Sequence, residues 1–216
     1  MATSSATVSR PESTQGLDYD TIIIGAGISG LYQLYCLRKL GQRVRVFEAG
    51  TGVGGTWYWN RYPGCRFDSE SYSYGYSFSQ ELLDEWDWTE HFAPQMETER
   101  YLNYVAEKFD LRRDIQLRSR VRAAVFDEVS TAWEITLEDG SRYRSRYLVT
   151  AVGPLSAPTL PRIAGVDDFA GEAYHTGLWP KHPVTFEVSE EERRAFWEKL
   201  YASPGFEIWM AISATC

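Results

Sequence analysis

Residues 19–30 read YDTIIIGAGISG, a β-branched apolar run that meets Gly25-Ala-Gly27-Ile-Ser-Gly30, three glycines in a G-x-G-x-x-G pattern. A short run of this kind ending in glycine predicts a buried parallel strand followed by a tight turn. Beyond it, Ile28, Leu31, Leu34, Tyr35 and Leu37 recur at helical spacing until Gly41, which predicts a helix over 28–40. Val44 to Phe47 then forms a second apolar strand, closed by Glu48. In such a βαβ unit the first glycine permits the turn and the second lets a diphosphate approach the backbone. The third lets helix and strand pack closely, and the helix N-terminus faces the phosphate charge. Glu48 lies 18 residues beyond Gly30, where a carboxylate accepts hydrogen bonds from a ribose diol. The unit therefore predicts an α/β, Rossmann-like dinucleotide-binding domain, with NAD and FAD both open.

Outward from this unit, residues 49–79 are crowded with Gly, Tyr, Trp and Arg and show no clear period, the mark of a functional loop. A helix is predicted over Glu97 to Phe109, with Leu102, Val105 and Phe109 on one face. Residues 121–127, 132–138 and 142–152 read as strands, the last two joined at Asp139-Gly140, so an antiparallel β-meander is inserted before the chain returns to the parallel sheet. Pro154, Pro158 and Pro161 stiffen an extended connector, and Ser189-Glu-Glu-Glu192 is a capping box that predicts a helix to about Tyr201.

Composition narrows the function classes. The 216 residues are 44% hydrophobic and 15% aromatic, which excludes a disordered chain. Lys and Arg number 22 against 30 Asp and Glu, a net charge of −8, so no basic excess is available for nucleic acid. The arginines at 112, 113, 118, 120 and 122 read as a solvated surface rather than a phosphate patch. No apolar stretch is long enough to span a membrane. The first 17 residues are Ser/Thr-rich, with no apolar run to serve as a signal peptide, and read as a flexible tail. Cys36, Cys65 and Cys216 share no metal-ligand spacing and their odd number argues against a disulfide framework, so no metal is expected and a reducing cytoplasm is the simplest compartment.

Two longer motifs separate FAD from NAD. Residues 54–68 read GGTWYWNRYPGCRFD, and residues 169–180 read FAGEAYHTGLWP, an F-x-G-x-x-x-H-x-x-x-W-P pattern. Both resemble motifs of the Baeyer–Villiger monooxygenases, flavoproteins that use FAD and NADPH to insert one oxygen atom from O2 beside a ketone carbonyl, giving an ester or lactone. Cys65 and Phe67 depart from the commoner Ala and Cys of the first motif. The resemblance runs from about residue 18 to 180, with a second patch from about 187 to 210. A related class, the flavin-dependent N-hydroxylating enzymes, is the alternative, as is an isolated FAD-binding module without turnover.

The resemblance implies roles position by position. Gly25, Gly27, Ser29 and Gly30 hold the FAD diphosphate and Glu48 the adenosine ribose. Gly55 belongs to the cofactor-binding set, Thr56 and Trp57 border the flavin, Tyr74 contacts it further along, and Val121 meets the adenine through its backbone. Arg66 and Asp68 sit on the reacting side, the expected catalytic pair. His175 lies in a linker between nucleotide domains and is tied to their relative motion; His91 and His182 read as structural. The implied organisation is a tail over 1–17, an FAD-binding domain over 18–165, a linker over 166–186 and a helical remnant of an NADPH domain over 187–216. After Trp179-Pro180 the second glycine fingerprint that such a family needs does not follow. Most of an NADPH domain and a C-terminal part are therefore expected to be missing, and the chain is expected to be inactive alone. The ketone and the oligomeric state are not readable.

Overall fold

The computed structural model describes residues 16–160 and 162–184, with 190, 191, 194, 195 and 198 beyond them. The tail expected over 1–17 lies outside the described residues except for Gly16 and Leu17. The helix expected from Ser189 to Tyr201 also lies largely outside them, though the five described positions within it are helical. The described chain falls into two units, one running through Gly55 and resuming over Ala106–Gly153, the other formed by Thr56–Val105 and the described residues from Pro154.

The first unit is built on a six-stranded sheet: β1 (Tyr19–Ile24), β2 (Val44–Phe47), β3 (Ile115–Gln116), β4 (Val121–Asp127), β5 (Ala132–Leu137) and β6 (Arg142–Thr150), in spatial order β3-β2-β1-β6-β5-β4. Strands β1, β2 and β3 are parallel, as is β6 against β1, with Ile22 opposite Arg45 on one side and Leu148 on the other. Strand β6 is shared: its first residues pair antiparallel with β5, Trp133 opposite Ser145, and its later ones pair parallel with β1. One nine-residue strand thus joins the meander β4-β5-β6 to the parallel half. Thr21, Ile22 and Ile23 are excluded from solvent, as a strand covered on both faces requires. Ile22, Phe47, Ile135 and Leu137 form one core cluster, with Val121, Tyr143 and Leu148 packed around it.

Helix α1 (Ile28–Lys39) buries Gly30, Leu31 and Leu34. Its end is a Schellman motif: the amide of Gly41 bonds to the carbonyl of Arg38 at 2.9 Å and that of Gln42 to Leu37 at 3.2 Å, which satisfies the last carbonyls. From the last turn of α1, Arg38 reaches the carbonyls of Phe109 and Asp110 at 3.3 and 2.6 Å.

The second unit holds the one-turn helices α2 (Thr56–Trp59) and α3 (Ser71–Tyr74), then α4 (Gln80–Glu85) and most of α5 (Gln95–Lys108), within which the boundary between the units falls. Its loops are pinned by buried polar side chains. The Ser71 hydroxyl donates to the carbonyls of Glu90 and His91 and accepts from the Ala93 amide at 3.0 Å. The Glu97 carboxylate accepts from both the amide and the hydroxyl of Thr89, at 2.9 and 2.6 Å.

Three expectations change. Helix α5 starts at Gln95 rather than Glu97, because the Pro94 carbonyl already accepts the amides of Glu97 and Thr98. Strand β6 ends at Thr150, not 152; only the Ala151 amide still bonds to Ile24, and Val152 is half-exposed. The long irregular stretch carries the single turns α2 and α3, too short to show a period. The arginine surface is ion-paired: Arg112 meets Glu107 at 3.4 Å, Arg113 meets Asp110 at 2.9 Å and Arg120 meets Glu138 at 3.6 Å.

Candidate functional site

In the first unit, the turn from β1 to α1 places Gly25 and Gly30 where no side chain fits. Gly25 has φ +100°, its amide bonds to the Phe47 carbonyl at 2.8 Å, and a Cβ there would stand 2.5 Å from the Ala151 carbonyl oxygen. A Cβ on Gly30 would stand 2.0 Å from the Gly25 carbonyl oxygen, so only glycine lets α1 pack this close to the strand end. Gly27 is the N-cap of α1. Gly27 has no side chain to cap this helix and the first turn holds no acidic residue, so no carboxylate of the helix itself offsets the positive end of its dipole. Ser29 is exposed on the first turn.

Glu48 lies against this turn, 5% exposed. One carboxylate oxygen accepts the Ala26 amide and the other the Gly50 amide, each at 2.7 Å. An ionised carboxylate offers about four lone-pair sites, so two amides leave acceptor capacity for a diol. The segment after β2 is tied to the same turn: the Gly54 amide bonds to the Ala26 carbonyl at 3.0 Å, and a Cβ on Gly27 would meet Gly55 Cα at 3.3 Å. Gly25, Gly27, Gly30, Glu48 and Gly55 are thereby brought together.

Val121 opens β4, half-buried against the core cluster. Just before it, the amides of Arg118 and Ser119 bond to the carbonyls of Gly50 and Glu48, both at 2.8 Å. A cleft of about 240 Å³ follows this seam, lined by Ala49, Arg118, Ser119, Arg120 and the β5–β6 turn.

The second unit holds the remaining predicted residues. Thr56 and Trp57 lie on α2, and Trp57 Nε1 donates to the Tyr74 hydroxyl at 2.7 Å. The Tyr74 ring stacks on Phe67 with centroids 4.4 Å apart, and burial pushes its hydroxyl above the usual pKa, with the nearby Asp68 charge adding to the rise. Asp68 and Arg66 are both exposed. The Arg66 guanidinium is engaged by the Glu90 carboxylate at 2.5 Å and the Phe92 carbonyl at 2.8 Å. His175 caps a short 3-10 turn over Thr176–Leu178, its Nδ1 accepting the Gly177 amide at 3.0 Å.

Sequence reasoning missed three groups. Gln95, nearly buried, holds the Trp57 carbonyl and Glu99. Lys181, directly after the tryptophan–proline pair, bonds to the Tyr58 hydroxyl at 3.1 Å. The backbone amides of Ala26 and Gly50 hold Glu48. Pro94, a residue that often opens helices, was a signal for the first; backbone donors leave no signature in residue types. Among the described residues, no group of three His, Cys, Asp or Glu is placed to hold a metal, and no helix is long and apolar enough to cross a membrane.

This turn, helix and sheet define a nucleotide-binding domain of Rossmann type, and residues 23–84 match the family of NAD(P)-binding Rossmann-like domains. Part of the chain is similar to several curated monooxygenases, one of them named a Baeyer–Villiger monooxygenase. It is 48% identical over 167 residues to the acetone monooxygenase (methyl acetate-forming) of Gordonia sp. strain TY-5, covering 77% of this chain and 31% of that one. It is 47% identical over 163 residues to the phenazine N-monooxygenase PhzNO1 of Lysobacter antibioticus, covering 75% and 30%. It is 43% identical over 169 residues to the Baeyer–Villiger monooxygenase of Pseudooceanicola batsensis, covering 78% and 31%. The crystal structure of OTEMO in complex with FAD and NADP matches with a TM-score of 0.72 at 46% identity, over 76% of this chain and 31% of that one. The chain thus spans about a third of the length of the relatives it matches.

Proposed function

We propose that this chain holds FAD, with the diphosphate on the glycine turn and the N-terminus of α1 and the adenosine ribose on Glu48. The observation that carries this reading is the buried Glu48 carboxylate seated on the Ala26 amide beside the glycine-capped N-terminus of α1. That donor set fits a diphosphate and a vicinal diol. Ser29 adds a hydroxyl at the first turn, Gly55 keeps the turn narrow, and the cleft leading to Val121 suits the adenine. Thr56, Trp57 and Tyr74 are the residues to border the flavin ring, and Arg66 and Asp68 those to orient nicotinamide and substrate.

The protein to which this chain corresponds is, on this proposal, an FAD- and NADPH-dependent Baeyer–Villiger monooxygenase of the cytoplasm, taking a small ketone and O2. When bound, the flavin supplies the oxygen chemistry and the protein supplies binding, orientation and exclusion of water. The acetone monooxygenase and the OTEMO complex with FAD and NADP support this reading. N-oxygenation is the second reading, favoured by the 47% identity to a phenazine N-monooxygenase. Ester or lactone formation from ketones with NADPH, set against N-oxide formation from phenazine, decides between them.

The cofactor claim is tested by titrating the purified chain with FAD and following flavin fluorescence and the visible spectrum. Saturable binding that Gly27→Asp abolishes is expected, because the aspartate adds both bulk and negative charge at the helix N-terminus. Flavin content unchanged in that variant overturns the assignment.

A further inference from the structure

The second unit contains a file of aromatic rings, most of them oxidisable, that extends beyond the two proposed above to border the flavin. At its inner end Trp57 is 5% exposed and bonded to the Tyr74 hydroxyl, with ring centroids 5.8 Å apart. Tyr74 stacks on Phe67 at 4.4 Å with the planes 8° apart, and Phe67 meets Trp88 at 6.0 Å. Trp88 lies 5.9 Å from Trp86, and Trp86 lies 5.5 Å from Tyr104. Buried Tyr101 braces the outer half, 5.0 Å from Trp88 and 5.2 Å from Trp86. The file ends at half-buried Tyr104, whose hydroxyl donates to the exposed Glu85 carboxylate.

Packing accounts for the burial of these rings. It does not account for two features of the outer end. The Trp86 Nε1–H is buried without a hydrogen-bond partner, a costly feature that calls for a reason beyond packing. The last ring also carries its own proton acceptor, whereas Trp57 donates only to a phenol, which is a poor base.

We propose that this file is an electron relay that carries a one-electron oxidising equivalent from Trp57 to the surface at Tyr104. A radical oxidant of the hydroxyl or carbonate class beside Trp57 takes an electron from the indole and is reduced to hydroxide or carbonate. The indole keeps its proton as a radical cation and is refilled from Trp88 across the Phe67–Tyr74 stack. Trp86 has no acceptor for its N–H, so it too stays protonated and passes the vacancy on rather than trapping it. At Tyr104 the electron leaves inward while the phenolic proton moves to Glu85, giving a neutral tyrosyl radical and a carboxylic acid. The only bond broken is the phenolic O–H. A surface reductant of the ascorbate or thiol class returns the electron, and Glu85 returns the proton. The relay as geometry stands without a flavin; its purpose, draining stray oxidant away from an oxygen-activating cofactor, rests on the function proposed above.

The test places the oxidant without using FAD. The full chain, with Cys36 and Cys216 changed to Ser, carries Asn60→Cys labelled with a ruthenium tris-bipyridyl photosensitiser, with persulfate as terminal electron acceptor. Radicals formed by light are trapped with a nitroso spin trap and mapped by peptide mass spectrometry. The expected adduct is on Tyr104. Trp88→Phe abolishes it and moves adduct to Trp57 or Tyr74, whereas Tyr147→Phe, outside the file, leaves it unchanged. Glu85→Gln lowers the Tyr104 adduct and lengthens the life of the Trp86 radical cation in transient absorption. Trp86→Phe repeats the block at the outer end and keeps the test decisive if Trp88→Phe loosens the cluster, which circular dichroism reads. A Tyr104 adduct that survives both blocks, or adducts spread over exposed tyrosines regardless of the file, overturns the relay. FAD titration of the unlabelled chain reports separately, so a chain that ignores FAD refutes the purpose and one that binds FAD but fails the trapping refutes the relay.

Discussion

Gly27 and Gly55 lie backbone against backbone. A Cβ on Gly55 would stand 2.7 Å from Gly27 Cα, and one on Gly27 would stand 3.3 Å from Gly55 Cα. The Gly54 amide bonds to Ala26 alongside them. The segment after β2 is therefore keyed into the turn at the start of α1; a side chain on Gly55 would break the key, and one on Gly27 would tighten it. The second glycine of the fingerprint is required by a neighbouring loop as well as by any bound diphosphate.

Gly55→Ala meets a clash and a strained backbone at once, because Gly55 has φ +57°. The strain alone costs about 1–3 kcal/mol. Gly27 has an ordinary φ of −80° and a looser contact, so Gly27→Ala is the milder change on the same interface. Urea unfolding should show a larger fall in midpoint for Gly55→Ala than for Gly27→Ala. FAD affinity should fall in both. The opposite order would show that the contact does not hold the turn.

Glu48→Gln tests the carboxylate. Each of its oxygens accepts a backbone amide at 2.7 Å, and glutamine has only one acceptor oxygen. Its NH2 group would face an amide N–H, donor against donor. Leaving that buried donor unsatisfied costs about 1–3 kcal/mol. Unfolding free energy should drop by that amount and FAD affinity should fall, because the acceptor sites of the second oxygen are lost. A stable variant with unchanged affinity would separate Glu48 from the ribose.

How much of this was legible follows from what carries a periodic signal. The βαβ unit reads cleanly because β1 is apolar on both faces and α1 repeats its buried Leu31 and Leu34 at helical spacing. The meander reads cleanly because Asp139-Gly140 announces the turn that the Gly140 amide closes on Leu137 at 3.1 Å. Strand β3 has two residues and α2 has four, too few for any period to register. The partners of Glu48 are main-chain amides, and Arg66 finds Glu90 across 24 residues, a separation at which sequence alone pairs nothing.

Buried tyrosines give the second unit an alkaline limit. Burial pushes the Tyr101 hydroxyl from the usual 10 up to about 12, and Tyr76 is shifted further in the same direction. A phenol held protonated in the folded chain and ionised in the unfolded one makes stability fall with rising pH. The Tyr101 contribution is complete below pH 10 and is lost as pH rises from about 10 through about 12, at about 1.4 kcal/mol per pH unit. Tyr101→Phe removes the acceptor of the Tyr76 amide and lowers stability near neutrality, yet it flattens the alkaline slope. Urea midpoints measured along this pH range check both effects, and an unaltered slope would mean that Tyr101 does not set it.

Thr131 closes the β4–β5 turn with φ +50°, a conformation that crowds a β-branched side chain. The turn is otherwise well held: the Asp127 carboxylate accepts the Val129 amide at 3.1 Å and the Ser130 hydroxyl, which together keep its pKa below the usual carboxylate range. The Thr131 carbonyl accepts from Arg146 at 2.9 Å, a bond of the main chain that any residue at this position keeps. Thr131→Asn therefore removes only the strain, since asparagine adopts the left-handed region at lower cost. The gain should be about 1 kcal/mol, seen as a higher thermal midpoint with FAD binding unchanged. A lower midpoint would show that the exposed threonine side chain itself stabilises the meander.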